Sequence, residues 1–197
     1  MILGDSAGVA ADLAIEGKLP VQRVDPAQLQ DKLLDNGQIL FWNSRYNPMV
    51  RRIPAIDPKS LPGVVVDDRD TSRVGQWMES SQPTVRRVGP GYIHDGNQNK
   101  GLLTVSYTPD LPDDGTYNIV LLFPPDPNRA TNVPVTLQVE GVGTQKTTVD
   151  QRNPERYGTV TLGSFKLPKG KRTTVTISNR DTDGYVVADA VQFVAVT

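Results

Sequence analysis

The chain has 197 residues, of which 37% are hydrophobic and 22% are charged, and its formal net charge is -1. This composition is that of a globular protein long enough to bury one sizeable core, and the near-zero charge argues against a broad nucleic-acid-binding surface. The sequence contains no cysteine, which excludes disulfides, thiolate metal sites and a cysteine nucleophile, and no apolar run approaches the roughly 20 residues of a membrane helix.

Two helices are predicted in residues 1–40. The first covers Ser6 to Glu16, where alanines recur at helical spacing and form a narrow stripe of small residues. The second begins after Asp25, a favourable N-cap residue, with Pro26 at the first helical position, and it ends at Asn36. Residues 41–62 carry four prolines and no hydrophobic period, which predicts an extended connector.

Residues 63–197 have the pattern of a β domain. Short segments with alternating apolar residues are separated by turn residues, which predicts an antiparallel sandwich or jelly roll. The predicted strands are 64–67, 74–79, 85–88, 91–94, 103–107, 117–123, 133–139, 144–149, 159–165, 173–178 and 185–196. The strand at 117–123 is expected to be central, and the polar strand at 144–149 is expected at an edge.

The last predicted strand, Tyr185 to Val196, is apolar on both faces, which is typical of a central or doubly covered strand. We expect it to lie beside the first strand and to bury Phe193. Asp189 interrupts its apolar pattern. A buried carboxylate must be hydrogen-bonded, paired or metal-bound, and we favour a hydrogen bond over a metal ion or a bulge that turns Asp189 outward.

Few side chains suggest chemistry. His94 is the single histidine, and no motif places a nucleophile beside it, so we expect it to be structural or on the surface. The acidic segments 67–70 and 181–184 offer oxygens for calcium, but they lack the remainder of a calcium loop and are interpreted as turns. No metal site is therefore predicted.

A set of aromatic and polar residues is compatible with carbohydrate binding. Trp77, Trp42 and Tyr92 are candidate platforms because flat aromatic rings pack on the apolar faces of sugars, although Trp77 is more typical of a core residue. Polar side chains that could surround such a platform are more typical of stabilised turns than of ligand contacts, and they are Asn128, Arg129, Asn132, Gln151 and Arg152. His94 is a further candidate carbohydrate-binding residue.

Eight short motifs, in order, carry a resemblance to a known family: VVVDD (64–68), GQW (75–77), GYIHD (91–95), GTY (115–117), NRATNVPV (128–135), VDQ (149–151), LGSF (162–165) and VADAVQF (187–193). With them the chain resembles the golvesin C-terminal and xanthan lyase-like β-sandwich domains. The resemblance covers about two thirds of the chain. It implies a galactose-binding-like jelly roll, appended to enzymes and suspected of binding carbohydrate, possible ligands being polysaccharides.

The motif LGDSAGVAA (3–11) resembles the start of the last helix in the flavin domain of bacterial FAD-dependent oxidoreductases. The resemblance implies that residues 1–40 are the helical tail of such a domain and that Gly4 and Gly8 are remnants of its FAD site. The dinucleotide fingerprint Gly-x-Gly-x-x-Gly is absent, and forty residues cannot form a nucleotide domain. We therefore expect FAD in a parent protein and no cofactor in this chain.

The sequence thus predicts an all-β galactose-binding-like jelly roll with a two-helix N-terminal appendage. The function predicted first is a non-catalytic accessory domain that binds carbohydrate. The alternatives are a structural domain that docks on the parent flavin domain without binding glycan and, last, an independent hydrolase or lyase. No nucleic acid or membrane partner is expected. The compartment is not fixed by the sequence, although an exported or periplasmic parent is compatible with it.

Overall fold

The computed structural model describes residues 2–36, 53–82, 84–152 and 158–196. The chain forms two compact units, Met1–Arg52 and Ile53–Thr197. No helix in these described segments is long and apolar enough to cross a membrane. Trp42, one of the predicted aromatic platforms, and residues 41–52 of the predicted connector lie outside the described residues.

The N-terminal unit contains the two predicted helices, Ile2–Glu16 (α1) and Pro26–Asp35 (α2). Helix α1 begins four residues before the predicted start at Ser6. Ala14 of the predicted stripe is buried, as is Leu33 of α2. A Cβ atom added to Gly4 or Gly8 would meet nothing within 4 Å, so packing within the described chain does not require glycine at either position.

The second unit consists of strands and short turns of 3-10 helix. Its strands in chain order are Val64–Asp67 (β1), Ser72–Val74 (β2), Met78–Ser80 (β3), Tyr92–His94 (β4), Thr104–Tyr107 (β5), Gly115–Leu122 (β6), Val133–Val139 (β7), Gly143–Val149 (β8), Thr159–Leu167 (β9), Thr173–Ser178 (β10), Val187–Ala188 (β11) and Ala190–Ala195 (β12). They form three antiparallel sheets, of order β1-β12-β6-β9, β2-β5-β10-β7-β8 and β11-β4-β3. The predicted fold class, an all-β jelly-roll sandwich with two N-terminal helices, is confirmed.

The apolar faces of the sheets meet in one main core. Tyr107, Ile119, Val175 and Phe193 are fully buried there. Strand β12 is central, because β1 pairs with it on one side and β6 on the other. The predicted pairing of the first and last strands is confirmed, with Val64 opposite Phe193.

Three predicted strands differ from the observed ones. The segment 74–79 divides at Gly75, whose φ of 77° turns the chain from β2 into β3 of another sheet. The segment 85–88 forms no strand, and only Val88 makes a bridge, to Ile56. The segment 185–196 divides at Asp189 into β11 and β12, because the chain crosses there from one sheet to another.

Residues 53–62 of the predicted connector belong to the sandwich unit. The amide of Ile56 donates to the carbonyl of Arg87 at 2.9 Å, and its carbonyl accepts from the amide of Gly89 at 2.9 Å. Ile56 and Leu61 pack against a small second cluster that includes Val88. Residues 53–62 therefore form a strap along the sandwich surface and are not a free linker.

Strand β8 lies at the edge of the five-stranded sheet, as its polar sequence predicts. It pairs with β7 over its whole length, from Gly143 opposite Val139 to Val149 opposite Val133. Even so, the six residues from Gly143 to Thr148 are all exposed, on both faces of the strand. The five-stranded sheet thus extends beyond its own core at this edge.

Candidate functional site

Most of the sequence-predicted polar ligand residues lie in loops at one end of the sandwich. The register brings several loops to this end, because Leu122 at the end of β6 pairs with Ala190, and Ser178 at the end of β10 pairs with Thr104. We name this region the loop surface and define it by His94, Asn128, Arg129, Thr131, Asn132, Arg152, Asp183 and Tyr185.

The backbones of Arg129 and Tyr185 form the centre of the loop surface. These two residues make a parallel bridge, in which the Tyr185 amide donates to the Asn128 carbonyl at 3.0 Å and the Ala130 amide donates to the Tyr185 carbonyl at 2.9 Å. Gly184 permits this approach, because a Cβ atom at that position would lie 2.6 Å from the Arg129 carbonyl oxygen. The loop after β6 and the loop before β11 are therefore fixed relative to each other.

The Arg129 side chain is mostly buried beneath this surface, with 8% of the residue exposed. Its Nε donates to the Pro124 carbonyl at 3.2 Å, and its Nη1 donates to Asn128 Oδ1 at 2.7 Å. Within the described part of the chain it forms no ion pair, since both of these acceptors are neutral. The guanidinium is thus fixed by acceptors of its own loop and not by a carboxylate.

Asp183 joins three loop residues. Its carboxylate accepts from the Thr131 amide and the Thr131 hydroxyl, both at 2.7 Å, and from Arg152 Nη2 at 3.4 Å. These hydrogen bonds, the one from the Thr131 hydroxyl above all, hold the pKa of Asp183 below its usual value. Asn132 adds two further hydrogen bonds between the same loops, because its Nδ2 donates to the Asp181 carbonyl and its Oδ1 accepts from the Asp183 amide.

His94 is half-buried at the end of β4, with its ring centroid 6.1 Å from that of Tyr185 and the two planes tilted by 59°. Its Nδ1 accepts from the Gly96 amide at 3.1 Å, so the neutral ring carries its proton on Nε2. Burial lowers the pKa of His94, and the charge of Arg129 lowers it further. At neutral pH the ring is therefore an uncharged hydrogen-bond donor beside an aromatic side chain.

Gln151, also predicted as a ligand residue, is fully buried. Its Nε2 donates to the Val187 carbonyl at 2.6 Å and its Oε1 accepts from the Val187 amide at 2.9 Å. The side-chain amide therefore pairs with β11 as a neighbouring strand would. It supports the loop surface from below and is not free to contact a ligand.

The aromatic residues Trp77 and Tyr92 are buried, with 8% and 4% exposed. The indole of Trp77 donates to the Thr104 carbonyl at 3.2 Å, and Trp77 precedes β3 instead of lying within a strand. Tyr92 borders a cavity of about 250 Å³ together with Asp68 and Glu79. Neither ring offers an open face.

The two acidic segments are held by arginines and by turns. Asp67 pairs with Arg69 at 2.8 Å, and Asp68 pairs with Arg73 at 3.2 Å. Burial, followed by the charge of Asp67, raises the pKa of Asp68 to about 7. Across the described residues, no group of three or more His, Cys, Asp or Glu side chains could hold a metal ion.

Asp189 is buried, with 1% exposed, at the point where the chain passes from β11 to β12. Its Oδ2 accepts from the Val88 amide at 3.0 Å, which is the kind of contact that the sequence predicts. Its Oδ1 has no hydrogen-bond partner among the described residues, and a cavity of about 10 Å³ beside it is the size of a single water. Burial raises the pKa of Asp189 to about 8.

Sequence reasoning missed Tyr185 and a polar network around Asp95, Lys100 and Asn179. Tyr185 was interpreted as the first residue of a long strand, because its bridge to Arg129 depends on the distant loop after β6. The network joins residues more than eighty positions apart, so no local spacing predicts it. The glycine- and asparagine-rich segment 95–101 was the one signal of an unusual loop.

A family model described as the golvesin C-terminal domain matches residues 64–195. A xanthan lyase of Bacillus sp. (strain GL1) is 41% identical over 151 residues, which are 72% of this chain and 16% of that protein. The solved structure of a Paenibacillus xanthan lyase superposes with a TM-score of 0.63 at 38% identity, over 68% of this chain and 13% of the lyase. A family 35 carbohydrate binding module from Clostridium thermocellum gives a TM-score of 0.48 at 17% identity, over 66% of this chain and 98% of the module, and this likeness is too distant to support a conclusion.

The family match begins at residue 64 and therefore does not include the two helices. The chain spans less than a fifth of the length of either xanthan lyase.

Proposed function

Because the chain belongs to the golvesin C-terminal domain family, we propose that its β-sandwich is a non-catalytic accessory domain that binds carbohydrate through the loop surface. The observation that carries the proposal is the half-buried Tyr185–His94 ring pair bordered by the guanidinium and amide groups of Arg129, Arg152 and Asn128. The homologous xanthan lyases, which are named for a polysaccharide, support it, since the sandwich corresponds to a small part of their length.

The chemistry of these groups suits a sugar. An aromatic ring packs against the C–H face of a pyranose, while nearby donors and acceptors bind its hydroxyl groups. Tyr185 and His94 supply the rings, and the Nε2 proton of His94 supplies a neutral donor. Arg129, Arg152 and Asn128 supply charged and amide donors at the border.

The remaining predicted ligand residues have supporting roles in this proposal. Asn132 and Gln151 fix the loops through hydrogen bonds to Asp183 and Val187. Trp77 and Tyr92 contribute to the core below. A surface fixed in this way loses little conformational entropy when a ligand binds, which favours affinity for a weakly contacting ligand such as a glycan.

The test is a binding screen of the intact chain against soluble polysaccharides, xanthan included, by titration calorimetry. Tyr185→Ala and Arg152→Ala should each weaken the binding by roughly tenfold or more, about 1.4 kcal/mol. Phe165→Ala is the matched control, because Phe165 is a half-buried aromatic on β9 outside the loop surface. Melting temperatures exclude unfolding as the cause.

Two outcomes would refute the proposal. If no polysaccharide in the screen binds, the alternative of a domain that docks on its parent protein is favoured instead. If a polysaccharide binds but Phe165→Ala weakens it more than Tyr185→Ala does, the glycan lies elsewhere on the sandwich.

For the N-terminal unit we propose an origin as the helical tail of an FAD-dependent oxidoreductase domain. The support is the LGDSAGVAA motif at the start of α1, together with glycines that the described packing does not require. FAD would then be held by the parent protein. After incubation with FAD and desalting, the purified chain should carry no flavin absorbance, and stoichiometric retained flavin would contradict this assignment.

A further inference from the structure

The ammonium group of Lys100 is bound by three oxygen atoms, one from its own loop and two from a loop more than eighty residues further along the chain. Its Nζ lies 2.8 Å from Asp95 Oδ2, 2.8 Å from Thr182 Oγ1 and 2.6 Å from the Gly184 carbonyl oxygen. An ammonium group has three protons to donate, so all three are used. A carboxylate, a hydroxyl and a backbone carbonyl are also the oxygen ligands that cations prefer in proteins.

Lys100 and Asp95 form an ion pair that is largely shielded from water. The Asp95 side chain is fully buried and the Lys100 side chain is 28% exposed, and the two form an ion pair at 2.8 Å. Arg172 and Glu140 offer a contrast, since they pair at 3.3 Å with side chains that are 50% and 66% exposed. An exposed pair of that kind contributes little, whereas a buried carboxylate that loses its cation is strongly destabilising.

Two of the three groups around Lys100 are themselves held by further interactions. Thr182 Oγ1 donates its own proton to the Asn179 carbonyl at 3.0 Å, which leaves its lone pairs for the ammonium group. The other oxygen of Asp95 accepts from the Asn97 and Val186 amides, both at 2.9 Å. The Asp95 carboxylate and the Thr182 hydroxyl are thus in place independently of Lys100, as ligands are in a preformed cation site.

The two loops that supply these oxygens adopt backbone conformations that non-glycine residues rarely populate. Asn97, Asn99 and Asp181 have φ values of 57°, 52° and 55°. Such conformations persist only where the surrounding contacts fix them. Asn179 provides further contacts between the loops, because its Oδ1 accepts from the Gly101 and Leu103 amides at 3.0 and 3.1 Å.

We propose that Asp95, Thr182 and Gly184 form a cation site that selects ammonium groups and that this chain fills with Lys100, so that the loops at 95–103 and 179–186 are fixed without a metal ion. The role of the occupied site is to join the loop that follows His94 to the loop that precedes Tyr185. This inference concerns the order of the loops and does not depend on glycan binding, and its readouts involve no glycan.

The first test uses the unaltered chain. Ammonium protons of exposed lysines exchange with water too quickly to be seen by NMR at neutral pH, whereas protons held by three acceptors exchange slowly. We expect a resolved ¹H–¹⁵N signal from the Lys100 ammonium group and none from the exposed Lys171. If the two groups exchange equally fast, the proposal is overturned, and this holds even if the variants below do not fold.

The second test removes the internal cation and supplies it from solution. Lys100→Ala should lower the melting temperature by about 10 °C, since it leaves the Asp95 carboxylate buried and uncompensated. n-Propylammonium replaces the lost part of the side chain and should restore several degrees of that loss. Lys171→Ala, the matched control, should show neither the loss nor the recovery.

Hydrogen exchange in Lys100→Ala locates the effect. The amides of Asn97, Gly101 and Val186 should lose protection, while those of Ile177 and Val175 in β10 should keep it. A fall in melting temperature below about 2 °C would show that Lys100 is an ordinary surface lysine. Recovery with calcium but not with n-propylammonium would show that the oxygens select a divalent ion and would overturn the assignment to ammonium.

Discussion

At the scale of single residues, Asp189 shows what a break in a sequence pattern can predict. An acid between Val187 and Val191 is out of place in an apolar strand, and this predicts a buried carboxylate with a specific partner. The structure provides that partner in the Val88 amide. The raised pKa could not be foreseen, because it depends on burial and on Asp67 and Asp68, which come from the other end of the sandwich sequence.

We expect Asp189→Ala to lower the free energy of unfolding by about 1–3 kcal/mol, because it leaves the buried Val88 amide without an acceptor. Asp189→Asn retains an acceptor and should cost less. Denaturant melts of the three proteins measure the difference, and calcium or a chelator should shift none of them. Equal stability of all three would place Asp189 in solvent, and a rise in the wild-type melting temperature with calcium would make Asp189 a metal ligand.

The raised pKa values of Asp189 and Asp68 also predict a pH dependence of stability. The folded chain keeps these protons up to about pH 8 and about pH 7, whereas the unfolded chain releases them near pH 3.8. Between these limits the folded state binds more protons at these two groups, so their contribution to stability is greatest below the lower limit and falls as the pH rises towards 8. In Asp189→Asn this fall should be smaller, and an unchanged pH profile would contradict the raised pKa of Asp189.

At the scale of elements, the alternation of apolar and polar residues predicted the strands that stay in one sheet. It did not predict the strand ends at which the chain passes from one sheet to another. Strands β6, β7 and β10 each have one partner on either side, and the alternating apolar residues of all three are visible in the sequence. The strands end at Gly75 and Asp189 because the residues that follow pair with a different sheet. This pairing depends on residues far away in the sequence. A glycine or an acid in a strand signals such a break but does not give its direction.

Strand β12 gives the sharpest test of the core. Phe193 is fully buried on this central strand, and its truncation to alanine should lower the free energy of unfolding by about 3–5 kcal/mol, measured by denaturant melts. Val74→Ala is the control, because Val74 is 62% exposed and should change stability by less than about 0.5 kcal/mol. A loss below about 1 kcal/mol for Phe193→Ala would contradict its place in the core.

At the scale of the whole molecule, the strap at 53–62 places the start of the sandwich unit ten residues earlier than the β pattern does. A chain shortened to residues 53–197 should fold cooperatively. A chain shortened to 63–197 should also fold but be less stable by about 2–4 kcal/mol, since it loses both hydrogen bonds of Ile56 and the packing of Ile56 and Leu61.

Thermal and denaturant melts of the two shortened chains measure this difference. Equal stability would show that the strap contributes nothing to the sandwich. A broad, non-cooperative transition in the 53–197 chain would show that the helices of the N-terminal unit are needed for folding.

The loop surface could be predicted only in part. The motif NRATNVPV contains Asn128, Arg129 and Asn132, which the sequence predicts as turn residues first and as ligand residues second. In the structure these three residues lie near one another and also form hydrogen bonds that fix the loops. A role in the turns is therefore compatible with a role in ligand binding. The Lys100 network could not be predicted, because its acceptors Asp95 and Gly184 are adjacent only after several strands have paired.

The exposed edge strand β8 has a consequence for how copies of this domain meet. A strand edge with an unpaired row of backbone groups is a template for another strand, and repeated contacts of this kind lead to aggregation. Strand β8 carries Lys146 at its centre, among threonines and a glutamine, and has no large apolar side chain before Val149. Charge repulsion and hydration at Lys146 thus oppose edge-to-edge growth where many copies are crowded together, and a β-branched apolar residue at this one position would remove that protection.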